Sequence, residues 1–432
     1  MFEDLINKNK KIAVVGLGYV GLPLIKILST KFEVIGFDID SEKIEKYKQG
    51  IDVTCSSEDD SLKNYEIFFT SDEKKIAEAN FIIITVPTPV KPDYTPDLSF
   101  ITSATELVSR NLKKQSIIVY ESTVYPGVTE EVCVPIIEKN TGYEYGKDFC
   151  VGYSPERVNP GENNEKIENI NKIVSGMNDW SLDVIFQVYD SVIKADVYKA
   201  QSIKVAEAAK VTENIQRDVN IALINELSII YGNLGINTQD VINAASTKWN
   251  FVKYTPGLVG GHCIGIDPYY LIYKSETMGY VPRLINESRI VNEGMIDYIF
   301  DNILLLLIKN NIEIKGSDLL FCGVTFKENC NDLRNSKIVE VIYKLKELGC
   351  NITIYDPYTT NDELEKVYGL ELSEKCDGRY DAIIISTAHS QFKEFTYNSL
   401  RDLSKNNLIC IDLKEILREE LEKYDDVSYW SL

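Results

Sequence analysis

Residues 11–15, KIAVV, form a short apolar run that halts at GLGYVG, after which LPLIKILSTK resumes with helical spacing and FEVIGFDID supplies another strand. An apolar run cut by a glycine turn and followed by a helix and a second strand is a β-turn-α-β unit, which few folds can accommodate at their start. Gly16, Gly18 and Gly21 stand in G-x-G-x-x-G spacing, Tyr19 and Val20 complete the loop, and Asp38 closes the next strand. The first glycine permits a tight turn, the second lets the backbone approach a pyrophosphate, and the third lets the helix pack closely with its amino terminus toward the phosphates. Asp38 would accept from ribose hydroxyls and repel a 2′-phosphate, so the dinucleotide read here is NAD in preference to NADP. The plain alternative is three glycines serving an ordinary turn.

The alternation continues through NFIIITVPTP, a helical stretch near 99–113, QSIIVYEST and DFCVGYSPERV, so roughly the first 195 residues read as a parallel, doubly wound sheet. From Ser202 to Gly232 the pattern becomes one long proline-free helix, and a second helical region covers about 283–309. Past residue 317 strand and helix alternate again in DLLFCGVTF, NITIYDP, YDAIIIST and NLICIDL, with one strand ending in Asp356 much as an earlier one ends in Asp38. The fold expected is α/β: two Rossmann-like doubly wound parallel-sheet domains, 1–200 and 311–432, joined by a long central helix and a helical dimerisation domain, 201–310.

Charge and cysteine usage narrow the function classes. A formal charge of −20 argues against nucleic acid, whose phosphates need clustered Lys and Arg. An anionic ligand would therefore need cations gathered at its own site, since exposed charges are screened within roughly 8 Å. The longest apolar runs, ILLLLI and FIIITV, fall far short of the ~20 residues that span a bilayer. MFEDLINKNK has no apolar run suited to a secretory signal, so the expectation is a cytoplasmic protein with no membrane partner. Nine scattered cysteines, among them Cys150, Cys322 and Cys410 inside apolar strands, make a reduced pattern, and two histidines without a C-x-x-C pair give no metal site.

Cys263 lies in PGLVGGHCIGIDPYYL, a glycine-rich loop. It can be read as a buried structural thiol, as a metal ligand short of partners, or as a nucleophile whose neighbours lower its pKa from the ordinary value near 8.5. His262 is a poor activator, because adjacent residues in extended chain point to opposite sides. On the long helix Lys210 and Asn214 are four apart and share a face; they are either a solvated surface or a pair able to hold a developing oxyanion. The strand ends VPTP, with Pro87 and Thr88, and EST, with Thr123, lie where such sheets place ligands, and equally read as plain loops.

Taken together, VVGLGYVGLP, VPTP, EST, YSPERVNPG, the Lys210/Asn214 helix, GGHCIGIDPYYL and FKENCNDLRNS resemble the UDP-sugar 6-dehydrogenase family over nearly the whole chain. The cysteine loop, with STKWNF ahead and DPYYL behind, looks most like the branch acting on UDP-N-acetylhexosamines, UDP-GlcNAc or UDP-GalNAc, for surface polysaccharide precursors. The resemblance implies a four-electron oxidation with two NAD⁺ per UDP-sugar, through a thiohemiacetal and then a thioester on Cys263. It implies that Lys210 and Asn214 stabilise the oxyanion, that Glu156 activates the hydrolytic water, and that Thr123 and Asp267 position water and lysine. Arg157, Gly260, Gly261 and Lys327 fall among the implied substrate contacts, Arg334 reaches the NAD pyrophosphate, and a homodimer forms through the central helix. Three positions depart from the family pattern: Pro160 where some relatives have a second glutamate, Lys248 near an arginine that reaches the partner's nucleotide, and Lys414 in place of arginine. The alternative is the same chemistry on UDP-ManNAc or UDP-glucose, and two other functions compete. A two-electron hydroxyacid-type NAD dehydrogenase gives no role to Cys263 or the last domain, and a non-catalytic sensor would need chemistry that the residues have not lost.

Overall fold

The computed structural model describes residues 1–54, 61–157 and 166–432; Pro160 and the end of its motif lie outside them. By compactness the chain forms two units, Met1–Glu213 with Tyr269–Val281, and Asn214–Pro268 with Pro282–Leu432. The segment read from the sequence as a separate middle domain is thus shared between them.

The first unit is built on eight strands: β1 (Lys11–Val15), β2 (Val34–Phe37), β3 (Ile67–Thr70), β4 (Ala79–Ile84), β5 (Ser116–Tyr120), β6 (Phe149–Tyr153), β7 (Lys172–Gly176) and β8 (Val197–Lys199). Their order is β3-β2-β1-β4-β5-β6-β7-β8. The runs are apolar throughout because helices cover both faces, and β1, β4 and β5 are almost wholly buried. One pairing corrects the all-parallel expectation. β7 runs antiparallel to β6, with Gly152 opposite Gly176 and Tyr153 opposite Ser175. Parallel neighbours need a crossover of a dozen or more residues that returns the chain to the opposite edge. Here the chain turns back at the edge it has just reached, so the first residue of β7 lies at the sheet's carboxyl edge.

The second unit has five parallel strands, β9 (Asp318–Cys322), β10 (Asn351–Tyr355), β11 (Ala382–Ile385), β12 (Leu408–Asp412) and β13 (Val427–Ser431), in the order β10-β9-β11-β12-β13. The helix Arg283–Lys309 covers one face, and its Met295, Ile299 and Ile303 pack in one core with Phe321 and Ile384. The spine helix, Ile203–Leu234, is continuous over 32 residues, as its alanine- and glutamate-rich, proline-free sequence predicts. The α/β architecture with two parallel-sheet regions and a long central helix is the one expected. Among the described residues no helix is long and apolar enough to cross a membrane, and no cluster of three or more His, Cys, Asp or Glu could hold a metal ion.

Candidate active site

In the first unit the glycine loop has the shape a dinucleotide needs. Gly16 has φ +94°, a Cβ at Gly21 would fall on the Gly16 carbonyl, and a Cβ at Gly18 would meet nothing within 4 Å. The loop is therefore pinched against the sheet at its ends and open at its middle, where half-exposed Tyr19 and Val20 stand before the helix Gly21–Ser29. Asp38 is buried; one of its oxygens accepts the Leu17 amide at 2.9 Å and the Lys43 ammonium at 2.8 Å, and the other accepts the Asp40 amide at 3.0 Å. These residues fit NAD, with open backbone at Gly18 for the pyrophosphate and a carboxylate at the ribose end.

The loops after β4 and β5 are joined. Ser122 Oγ donates to the Val86 carbonyl at 2.6 Å, which seats Thr123 next to the Pro87–Thr88 loop. Just before it, Glu121 is fully buried and accepts from Lys172 at 2.7 Å and from the Tyr189 hydroxyl. Lys172 Nζ also lies 3.7 Å from Glu156, whose other oxygen accepts the Arg157 amide at 2.7 Å. The Arg157 guanidinium is held inside the unit by Glu213 at 2.7 Å and the Asn171 carbonyl at 2.9 Å, so its observed work is bracing the loop. On the spine helix Glu207 accepts the Gly127 and Thr129 amides at 2.6 and 2.9 Å, tying the segment beyond Thr123 to the turn that precedes buried Lys210. Burial pushes the Glu207 carboxyl up to about 7, even though those amides favour its charged form.

The second unit holds the thiol. Cys263 is exposed, Cys330 and Cys376 are partly buried, and the other described cysteines are buried. The Cys263 carbonyl accepts the Ile266 and Asp267 amides at 3.1 and 2.8 Å, a turn that leads into the helix Asp267–Thr277. Asp267 accepts from the Asn214 amide at 2.5 Å, both side chains being buried, so these two predicted site residues meet directly. A buried polar network fixes the start of the loop: Asn225 donates to the Gly257 carbonyl at 3.0 Å, accepts its amide at 2.8 Å, and donates to Asn292 at 2.9 Å. Asn292 and Arg289 in turn hold Asp218, at 2.7 and 2.5 Å.

Gly260 and Gly261 have a different physical reason from the one expected, room for a sugar. A Cβ at Gly260 would lie 2.6 Å from the Asn335 carbonyl, and Gly261, at φ +79°, has the Phe326 ring 2.8 Å from where its Cβ would be. Their small size admits the protein's own 326–335 loop. On that loop Arg334 pairs with Asp332 at 2.9 and 2.7 Å, and His262 lies 3.8 Å from the same carboxylate. Burial would raise the Asp332 carboxyl, but Arg334 and His262 together hold it well below its usual range. Lys327 is half-buried at the start of the loop, and Lys248 is exposed after the helix Thr238–Ala245. A cavity of about 450 Å³ in this unit is lined by Arg217, Lys253, Tyr254, Gly257 and Lys414 among others, the concentration of cations that the −20 balance demanded of an anion site. Of the cavity's cations only Lys414 stands out in the sequence, as a departure from the family pattern, although Lys253 stands just ahead of the quoted loop. Lys172 was missed as well; the available signal was a lysine opening the apolar run KIVSG.

An NAD-fitting first domain, an exposed thiol on a braced loop and a second nucleotide-type domain define an NAD-dependent dehydrogenase. The chain belongs to the UDP-glucose/GDP-mannose dehydrogenase family: its NAD-binding domain model matches residues 10–193, its central domain 204–294, and its UDP-binding domain 320–419. The chain is 46% identical to UDP-N-acetyl-D-glucosamine 6-dehydrogenase of Salmonella typhi over 412 residues, 95% of this chain and 97% of that one. It is 45% identical to the Pseudomonas aeruginosa protein of the same name over 415 residues, covering 96% and 98%. Among solved structures, UDP-D-ManNAc dehydrogenase from Pyrococcus horikoshii superposes with a TM-score of 0.88 at 31% identity, with 98% of each chain covered.

Proposed function

We propose that the chain oxidises C6 of UDP-N-acetylglucosamine to the carboxylate, in two steps with the sugar held on Cys263 between them, for surface-polysaccharide precursors. The observation that carries the reading is the placing of Cys263, exposed on a loop that a buried network holds, while the cysteines of apolar strands are buried. The choice of sugar is supported by the 45–46% identity to two UDP-N-acetyl-D-glucosamine 6-dehydrogenases, against 33% to a UDP-N-acetyl-D-mannosamine dehydrogenase. An alcohol-to-ketone enzyme has no aldehyde to retain and no use for a thiol; a C6 dehydrogenase must keep its aldehyde from escaping.

In this reading NAD⁺, when bound, accepts a hydride in each oxidation. The Cys263 sulfur bonds to the aldehyde carbon to give a thiohemiacetal, and its oxidised form is a thioester. Lys210 and the Asn214 amide stabilise the oxyanions, one such donor being worth about 3–4 kcal/mol of barrier. Asp267 orients Asn214 through their hydrogen bond. Glu156 takes a proton from the water that hydrolyses the thioester, with Thr123 positioning it. Lys327, Lys414 and the cations of the cavity suit the diphosphate, and Arg334 suits the NAD pyrophosphate. The enzyme works in the cytoplasm as a homodimer through the spine helix, on which exposed Leu223, Ile230 and Leu234 form one apolar stripe.

The test is NADH release over UDP-Glc, UDP-GlcNAc, UDP-GalNAc and UDP-ManNAc. Two NADH per UDP-GlcNAc are expected, with the other sugars slower. A preference for UDP-Glc or UDP-ManNAc would overturn the choice of sugar. A Cys263→Ser variant with wild-type turnover and stoichiometry would overturn the role of the thiol.

A further inference from the structure

The reversal of β7 has a chemical consequence. In a parallel sheet the first residue of a strand lies at the edge opposite the ligand site, but β7 starts at the carboxyl edge. Continuing the register of Tyr153 with Ser175 sets residue 156 opposite residue 172, and Lys172 Nζ is found 3.7 Å from Glu156 and 2.7 Å from Glu121. The side chains of Lys172 and Glu121 are 3% and 0% exposed, and that of Glu156 is 12% exposed. The Tyr189 hydroxyl holds the second oxygen of Glu121. Two carboxylates and one ammonium thus share a nearly dry pocket at the edge where Thr123 also stands.

We propose that Lys172 is a positioning residue for Glu156: its buried ammonium, set between Glu121 and Glu156, holds and aims the Glu156 carboxyl group so that it can take the proton of the hydrolytic water. The proposal rests on Glu156 being the group that activates that water. In that step a water oxygen bonds to the acyl carbon, the carbon–sulfur bond breaks, sulfur leaves as the Cys263 thiolate, and the water proton passes to Glu156. Two buried carboxylates side by side cannot both stay charged without a cation. Burial alone would lower the Lys172 ammonium, but the charges of Glu121 and Glu156 more than offset it and hold it above its usual value. Burial raises the Glu121 carboxyl, which Lys172 only partly counters. No step before hydrolysis requires this pair, so loss of the cation has a specific signature.

The experiment compares Lys172→Met, Lys172→Arg, the double variant Lys172→Met/Glu121→Gln, and Glu156→Gln. It uses rapid-mixing NADH release and intact mass of the protein after mixing with UDP-GlcNAc and NAD⁺. For Lys172→Met, steady turnover is expected to fall about 100-fold, the scale of general-base assistance. The first-turnover release of two NADH per chain should persist, and the mass should show the acyl adduct on Cys263. Lys172→Arg should stay within a few-fold of wild type. The double variant, which removes one charge of each sign, should recover most of the lost turnover. If Lys172→Met does not fold, the arginine and double variants decide by the same criteria. First-turnover oxidation falling together with steady turnover, or a double variant no better than the single, would overturn the proposal. If Glu156→Gln fails to accumulate the adduct, the reading of Glu156 itself falls; if it accumulates the adduct and Lys172→Met does not, only the role given to Lys172 falls.

Discussion

Both sheets end their second strand in a buried aspartate that ties down the turn after the first strand of the motif, yet the two turns are built for different purposes. In the first unit Asp38 takes the Leu17 amide and pairs with Lys43, and Gly18 leaves open space in front. In the second, Asp356 takes the Val324 and Thr325 amides at 2.7 and 3.0 Å, and its charge faces buried His389 at 3.2 Å. His389 Nδ1 accepts the Asn329 amide at 2.9 Å, so the ring hydrogen sits on Nε2, toward Asp356. Gly323, at φ +96°, matches Gly16, at φ +94°, and has Thr387 packed 2.6 Å from where its Cβ would be, while Thr325 stands at the place of the open Gly18. The first turn is an open cradle and the second a filled one. A shared strand-turn-helix pattern therefore does not by itself give two dinucleotide sites; the side chains that fill the turn decide.

The comparison can be broken in order of effect. Asp356→Ala strips a buried, hydrogen-bonded anion of its role and leaves the Val324, Thr325 and Tyr358 amides without their acceptor. It should cost about 3–5 kcal/mol in denaturant unfolding of the second unit, and a loss below ~1 kcal/mol would show that the filled turn is not held by this group. Gly18→Val should do the reverse. Nothing lies near its Cβ, so the melting temperature should hardly move while the KM for NAD⁺ rises about 100-fold, or ~2.7 kcal/mol. A variant that melts early would mean the cradle is packed rather than open. Asp38→Ala should weaken NAD⁺ about tenfold and narrow its advantage over NADP⁺, measured as the ratio of kcat/KM for the two.

The smallest effect concerns pH and has opposite signs in the two units. Burial raises the Asp356 carboxyl, but the His389 hydrogen bond and the Val324 and Tyr358 amides outweigh it and hold the group below its usual value. Its contribution is full above the unfolded value near 4 and is lost as pH falls through the lower folded value. Glu207, pushed up to about 7 by burial, behaves oppositely: its contribution is full below the unfolded value near 4.5 and is lost as pH rises through about 7. The first unit should thus lose about 1 kcal/mol between pH 6 and pH 8, a slope that Glu207→Gln should flatten in pH-dependent unfolding curves.

Much of this was legible in the sequence because it is local. Gly16, Gly18, Gly21 and Asp38 lie in one β-turn-α-β stretch, Lys210 and Asn214 in one helix turn, and Cys263 and Asp267 in one loop. Periodicity and turn chemistry read such short spans directly. The misses share a different cause. Lys172 meets Glu156 only because β7 runs backwards, and an antiparallel return within a parallel pattern leaves no mark in strand periodicity. Asp218 and Arg289 are 71 positions apart, and nothing local marks them as partners. Gly260 and Gly261 announce a tight place, but only the packed chain shows that Asn335 and Phe326 occupy it.

The sequence by itself determined the order of elements, the NAD-type turn and the exposed thiol's loop, since each depends on residues near one another along the chain. The tertiary structure alone decided which buried charges neutralise each other and which of the two glycine turns stays open. Those outcomes depend on what burial brings together from far apart in the chain, where removing water makes an unpaired charge costly and a filled space final.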